Sequence, residues 1–249
     1  MPTINQQLSG KVAIVTGAGG GIGKAIAQAY AKAGAAVCCA ARTETTLRET
    51  VQDIVAAGGQ GLAVPTDVTQ LTAVQQMVKV TVETFGGLDI LIINAGVNAD
   101  RRHVEDSDPE AWRTTLDVNL LGAYYCAQAA IPALKQRGAG KLITVGSGVG
   151  HRGLPGSSAY ACSKAGLWML TRVLAQELSP YNISVNEIIP GPVVTSMTGA
   201  HATEGQGVFG IMGEWVKTPD EVVPLALFLA TQPPLGPTAQ SFSLMRRDN

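Results

Sequence analysis

Charge is scarce in this 249-residue chain: Asp, Glu, Lys and Arg make up only 15%, with 18 basic residues against 19 acidic ones. A net charge of -1 excludes the basic surface that nucleic acid or an anionic membrane would recognise. No apolar run approaches the roughly 20 residues needed to cross a bilayer. The opening MPTINQQLSGK has no basic patch followed by an apolar core, which argues against a secretory signal. There are only four cysteines, without metal-type spacing. Cys38 and Cys39 are adjacent on an expected strand and should face opposite sides of it. All four read as reduced core thiols of a cytoplasmic protein with no metal site. Low-complexity linkers and internal repeats are also missing, so one domain is expected over residues 1–249.

What the chain has in abundance is apolar sequence, 46% of its residues, cut into short runs. Strands are expected at Val12–Thr16, Ala36–Ala41, Gly61–Pro65, Asp89–Asn94, Lys141–Gly146, Ile183–Ile189 and Ala239–Leu244. Helical spacing falls between them at Ile22–Ala33, Glu44–Ala57, Leu71–Phe85, Pro109–Lys135, Ser158–Leu178 and Pro219–Ala230. The strand runs do not alternate with polar residues, as a sheet covered on both faces requires. Regular alternation of strand and helix predicts an α/β fold, a doubly wound, seven-stranded parallel sheet of Rossmann type. One stretch breaks the rhythm. Residues 190–218 are rich in glycine and polar residues with scattered apolar ones, and they follow a strand's carboxyl end, where ligands bind in such sheets. This segment reads as a substrate lid.

The string TGAGGGIG, Thr16 to Gly23, joins the first strand to the first helix. Strand, glycine turn and helix start together offer backbone N–H groups to a phosphate. Gly17 suits the tight turn, Gly21 the approach of a pyrophosphate, and Gly23 close packing of helix on sheet. The spacing fits neither GxGxxG nor GxxxxGK[ST], since Ala18 stands where the latter needs glycine and Ala25 follows Lys24.

Tyr160 and Lys164 stand four apart at the start of an expected helix, so they share a face. An ammonium beside a phenol should lower the phenol's pKa and make the pair a general acid or base near neutral pH. Ser147 lies at the carboxyl end of the strand KLITVG, where a doubly wound sheet opens its crevice. His151 follows four residues later and invites a serine-hydrolase reading. Val145 and Val149, however, occupy both glycine positions of the GxSxG elbow, and no acid-then-histidine order follows. Arg101 and Arg102 are either a solvated pair or a means of steering an anionic substrate.

TGAGGGIG, then Ile93 to Gly96 (INAG), Asn119 in DVNLLGAYY, Ser147, Tyr160-x3-Lys164 and PGPVVT (Pro190 to Thr195) occur in that order. The chain thereby resembles the short-chain dehydrogenase/reductase family from about Lys11 to Leu244, most closely its 3-oxoacyl-acyl-carrier-protein reductase branch. The resemblance implies a catalytic group of Asn119, Ser147, Tyr160 and Lys164. Tyr160 would donate the proton, Ser147 would hold the substrate oxygen, and Lys164 would hold the nicotinamide ribose and tune Tyr160. Asn119 would hold a relay water; its alternative is a polar residue that bends or caps its helix. The dinucleotide would lie against Gly17, Gly19, Gly21, Ile22, Gly23, Arg42, Asp67, Val68, Asn94, Ala95, Gly96, Pro190, Gly191, Val193 and Thr195. Asp67 has a competing reading as a turn or cap residue. Ala41 stands where a carboxylate would bind a ribose 2′-OH, and Arg42 comes next, which favours NADP(H) over NAD(H). The implied reaction is NADPH-dependent ketone reduction. NAD-dependent oxidation of a secondary alcohol and a non-catalytic dinucleotide-binding regulator are the alternatives. Excess apolar residues on Pro109–Lys135 and Ser158–Leu178 suggest a face covered by another subunit, and the resemblance implies a homotetramer, whose second interface the unusual Arg246–Arg247 ending puts in question.

Overall fold

The computed structural model describes residues 6–199 and 216–245. Its strands are β1 (Val12–Thr16), β2 (Ala36–Ala41), β3 (Gln60–Pro65), β4 (Ile90–Ile93), β5 (Gly140–Val145), β6 (Ile183–Ile189) and β7 (Ser241–Ser243). They form one seven-stranded sheet in the order β3-β2-β1-β4-β5-β6-β7, parallel at every pairing. This is the doubly wound Rossmann-type sheet that the alternating pattern predicts. The chain reverses its direction of travel between β1 and β4, and side chains and turns on either side of that point leave a crevice.

Helices α1 (Gly21–Lys32), α2 (Glu44–Ala56) and α8 (Val223–Thr231) cover one face of the sheet. Ile26 and Tyr30 of α1, Leu47 and Ile54 of α2 and Leu229 of α8 are buried there against Val15, Val37 and Ile143. On the other face, α3 (Leu71–Phe85), α5 (Gly122–Gln136) and α7 (Ser158–Leu178) bury Met77, Cys126, Leu134, Leu167 and Leu174 against Ile14, Leu91 and Val185. Two shorter helices, α4 (Pro109–Leu116) and α6 (Val149–Arg152), complete the set among the described residues. The period-two rule places Cys38 and Cys39 in opposite cores, as expected. Burial pushes the thiols of Cys38, Cys39 and Cys126 up to about 12. Cys162, expected in the core, is exposed on α7.

Three boundaries differ from expectation for identifiable reasons. The helix expected over 109–135 is interrupted by a π-helical turn, Asp117–Leu121, closed by the Gly122 N–H on the Asp117 carbonyl. The widened turn carries Asn119 into cross-chain hydrogen bonds instead of solvent. The last strand begins at Ser241, not Ala239, because Ala239 has a left-handed backbone (φ 59°). Ahead of α8, Pro219–Val222 form a 3₁₀ turn started by a Thr218–Glu221 capping box, so Pro224 falls in the first turn of the α-helix, where its missing N–H costs nothing. The lid stretch is described only at its ends, where Val193 and Lys217 form a parallel bridge. Residues 200–215 of it, with His201, and the Arg246–Arg247 ending lie outside the described residues.

The closest approach of a glycine to backbone among the described residues is where α1 leaves the glycine turn. A Cβ at Gly23 would overlap the Gly17 carbonyl oxygen and come within 2.5 Å of Asn94 Nδ2. Backbone cannot yield as a flexible side chain does, so Gly23→Ala should cost about 1–3 kcal/mol, read as a lower midpoint in urea unfolding. The same substitution at the exposed Gly20, which meets nothing within 4 Å, should cost well under half as much.

Candidate active site

Thr16 ends β1 with its hydroxyl accepting hydrogen bonds from the Asn94 and Ala95 N–H groups (2.9 and 3.1 Å). Asn94 returns a bond from its side-chain amide to the Thr16 carbonyl (2.9 Å). These bonds tie the carboxyl ends of β1 and β4 together. Gly17 then turns with φ 69°, and α1 starts at Gly21 without any side-chain cap. Its first N–H groups are therefore left for a ligand.

These elements line a cleft of about 460 Å³ over the carboxyl ends of the strands. Gly17, Gly19, Gly21 and Ile22 form its floor on the β1 side, with Gly20 added to the expected set. Arg42, Asp67 and Val68 line one end, together with Thr43, Thr46 and Thr66, which the sequence reading missed. Asn94, Ala95 and Gly96 line the middle, and Pro190, Gly191, Val193 and Thr195 the far side. Ser147, Tyr160 and Lys164 complete it. Gly23 and Asn119 do not line the cleft: Gly23 lies under the turn, and Asn119 lies behind the wall.

The cleft suits a dinucleotide. A Cβ at Gly19 would approach Thr46 Oγ1 to 2.7 Å and one at Gly21 would approach Thr195 Cγ2 to 3.0 Å, so glycine keeps the cradle open. The uncapped helix start above it offers donors and the positive end of a dipole to a phosphate. Arg42 is exposed at the cleft's end and has no hydrogen bond or ion pair with any described residue. Asp67 combines its two readings, lining the cleft while one carboxylate oxygen accepts from the Thr69 N–H (3.0 Å) and hydroxyl (2.8 Å). It is a turn residue and not a helix cap, since α3 begins at Leu71.

Asn119 is 1% exposed and its amide is fully used. Its Nδ2 donates to the Val97 carbonyl (2.9 Å) and to Ser163 Oγ (3.0 Å), and its Oδ1 accepts the Val97 N–H (2.8 Å). Ser163 in turn donates to the Tyr160 carbonyl (2.8 Å), so the π turn fixes the first turn of α7 and with it Tyr160. Ser163 had no sequence signal beyond its place in YACSK.

Burial governs the electrostatics here. Tyr160 is raised above the usual phenol value by desolvation, with the Ser147 hydroxyl and the Arg101 guanidinium pulling the other way. The expectation that Lys164 would make this phenol acidic is therefore corrected. The Lys164 ammonium lies 5.7 Å from the Tyr160 ring centre and donates to the Val145 carbonyl (2.8 Å). It is 4% exposed, and burial pulls it down to about 8 against a partial upward pull from Glu187. The two groups thus carry their protons differently: the phenol holds its proton firmly and the lysine can release one near neutrality. Arg102 is committed to Asp100 (2.9 Å), which holds that carboxyl below the usual range, whereas Arg101 is the arginine that acts on Tyr160. His151 donates to or accepts from Glu187 (3.0 Å), not Ser147, so no hydrolase-type pair exists between them.

Comparison with known proteins extends these observations. The family model for short chain dehydrogenase matches residues 11–205. A 3-oxoacyl-[acyl-carrier-protein] reductase from Synechocystis sp. is 34% identical over 243 residues, covering 95% of this chain and 96% of that protein. The short-chain reductase protein NovJ from Streptomyces niveus is 40% identical over 228 residues, or 88% of this chain and 86% of that one. A crystal structure of a short-chain type dehydrogenase/reductase from Mycobacterium marinum superposes with a TM-score of 0.86 at 33% identity, over 97% of this chain and 95% of the other. Likeness of sequence and of fold over nearly the whole length places the chain in the short-chain dehydrogenase/reductase family of oxidoreductases, which use a nicotinamide dinucleotide on small-molecule substrates.

Proposed function

We propose that this protein reduces a ketone to a secondary alcohol with NADPH, and that its substrates are 3-oxoacyl thioesters. The observation that carries the reaction is the meeting of Tyr160, Ser147 and Lys164 on one wall of a cleft whose floor is the glycine turn. The thioester class draws support from the Synechocystis relative's name and from Arg101, a cation that donates to the Met197 carbonyl (2.7 Å) at the cleft's edge, where it would attract an anionic carrier.

The dinucleotide would rest its pyrophosphate on Gly17–Gly23 and its adenosine between Asp67, Val68 and Asn94–Gly96. Its nicotinamide end would meet Lys164, Tyr160, Pro190, Gly191, Val193 and Thr195. Once bound, the nicotinamide supplies the hydride. Tyr160 gives its proton to the carbonyl oxygen, a task suited to a phenol that burial keeps protonated. Ser147 hydrogen-bonds the same oxygen and steadies its developing charge. Lys164, able to exchange a proton near pH 8, holds the ribose and restores the Tyr160 proton. Asn119 holds this wall in place through its bonds to Val97 and Ser163.

NADPH is favoured over NADH because Ala41 presents no carboxylate and the Arg42 guanidinium at the cleft's end is unpaired among the described residues. Leu121 at the end of the π turn, Tyr124 at the start of α5, and Met169 and Val173 on α7 are large apolar side chains left exposed, which supports a homotetramer built through these helices. The chain acts as one domain with the 190–218 segment as substrate lid, in the cytoplasm. Unpaired thiols support that location, and no described helix is long and apolar enough to cross a membrane.

An NADPH-oxidation assay over acetoacetyl and longer 3-oxoacyl thioesters beside simple ketones tests the substrate class; turnover of ketones alone would sink it. Tyr160→Phe should lower kcat by about a hundred- to ten-thousand-fold while NADPH affinity, read by fluorescence titration, stays near that of the parent. Arg42→Ala should raise the KM for NADPH by about ten- to a hundredfold and leave the KM for NADH nearly unchanged. Lys164 is charged below about pH 8 and neutral above it. The reductive kcat/KM should therefore be flat below that pH and decline above it, in a pH profile taken at fixed ionic strength.

A further inference from the structure

Glu187 stands in the middle of β6, 0% exposed, in a strand buried at every position. A carboxylate in such a place costs several kcal/mol unless it is held by partners. It has them: His151 Nε2 at 3.0 Å and Ser241 Oγ at 2.5 Å. The sequence around it has also made room. Gly146, at the end of β5, could not carry a Cβ, because that atom would overlap Glu187 Oε1. The residue before it, Val145, receives the Lys164 ammonium on its carbonyl oxygen at 2.8 Å. The Val145–Gly146 peptide is thus flanked by a buried cation at one residue and a buried anion at the other. Neither group reaches the other within ion-pair distance, so the interaction is a field across a few ångströms of protein, where screening is weak.

We infer that Glu187 is the buried counter-charge of Lys164, a positioning residue that keeps the Lys164 ammonium protonated in the site while His151 and Ser241 fix the carboxylate. The inference rests on the proposed role of Lys164 in holding the dinucleotide. Other titratable and charged groups on the elements packed around this point are Tyr160, Cys162, Arg172 and Glu177 on α7, His151 and Arg152 on α6, Lys141 on β5, and Arg101 on the loop after β4. Glu177, the one carboxylate in this set, is exposed at the far end of α7 and does not act on Lys164, and burial works against the lysine's charge. Among them Glu187 alone favours keeping the proton. His151 serves as a clamp, its ring braced against Trp168 at 5.0 Å between centres. Its hydrogen bond to the Glu187 carboxylate (3.0 Å) ties it there, and its side chain is 27% exposed.

The test compares Glu187→Gln with His151→Gln by NADPH binding, followed by protein fluorescence across pH 6–10, with kcat/KM profiles beside it. In the parent, affinity should weaken as pH rises through about 8. Glu187→Gln keeps the shape but removes the charge, and should move that weakening down by about one pH unit. His151→Gln breaks the same hydrogen bond and leaves the charge, and should leave the midpoint where it was. If Glu187→Gln does not fold, Glu187→Met, which needs no partner in an apolar setting, replaces it with the same expected shift. A midpoint that does not move on loss of the carboxylate overturns the inference, as does an equal shift in His151→Gln, which would make the hydrogen bond and not the charge responsible. Absence of NADPH binding by the parent at every pH would overturn the NADPH reading on which the inference rests.

Discussion

The cleft exists because two strand ends and one helix start come closer together than side chains would permit. Thr16 and Asn94 exchange hydrogen bonds across the β1–β4 junction, and α1 springs from the turn directly above them. Gly17 and Gly23 each lie where a Cβ would strike Asn94 Nδ2 or the turn's own backbone. With that junction closed, the uncapped N-terminus of α1 faces the space over the sheet, and the ends of β2, β5 and β6 bring Arg42, Ser147 and Pro190 to the same rim. The parallel pairing determines which residues meet there, because every strand delivers its carboxyl end to the same side.

Desolvation sets the chemistry of that rim. The same burial that retains the Tyr160 proton loosens the one on Lys164, so the two groups are driven towards their neutral forms from opposite directions. A phenol in this state is present at neutral pH in its protonated form, the form a general acid must have. The π turn adds mechanical precision: Asn119 spends its amide on Val97 and Ser163, and Ser163 passes the restraint to the Tyr160 carbonyl.

Features encoded by local pattern were readable from the sequence, and features created by distant partners were not. Apolar runs and helical spacing located Val12–Thr16, Leu71–Phe85 and Ser158–Leu178 at their observed ends. The glycine turn and the Ser147, Tyr160 and Lys164 positions were legible because each sits at a strand end or a helix start with its own spacing. Glu187 was passed over inside ISVNEII because its partners are 36 and 54 residues away, and nothing in a strand's composition reveals them. The π turn was equally hidden, since DVNLLGAYY continues a helical pattern and only contact with Val97 and Ser163 favours its widening. The i,i+4 spacing of Tyr160 and Lys164 correctly put them on one face, but the sign of the phenol's shift came from burial, which spacing does not encode.

The parallel bridge between Val193 and Lys217 has a consequence for diversification of this scaffold. The Lys217 N–H donates to the Pro192 carbonyl and the Lys217 carbonyl accepts from Val194, so both feet of the intervening excursion are stapled at one point beside the cofactor rim. An excursion whose feet already meet can be lengthened, shortened or exchanged at small entropic cost, each doubling of its length adding only about 0.6 kcal/mol. Residues exchanged between those feet should therefore leave the sheet, and the strand ends it delivers to the cleft, undisturbed.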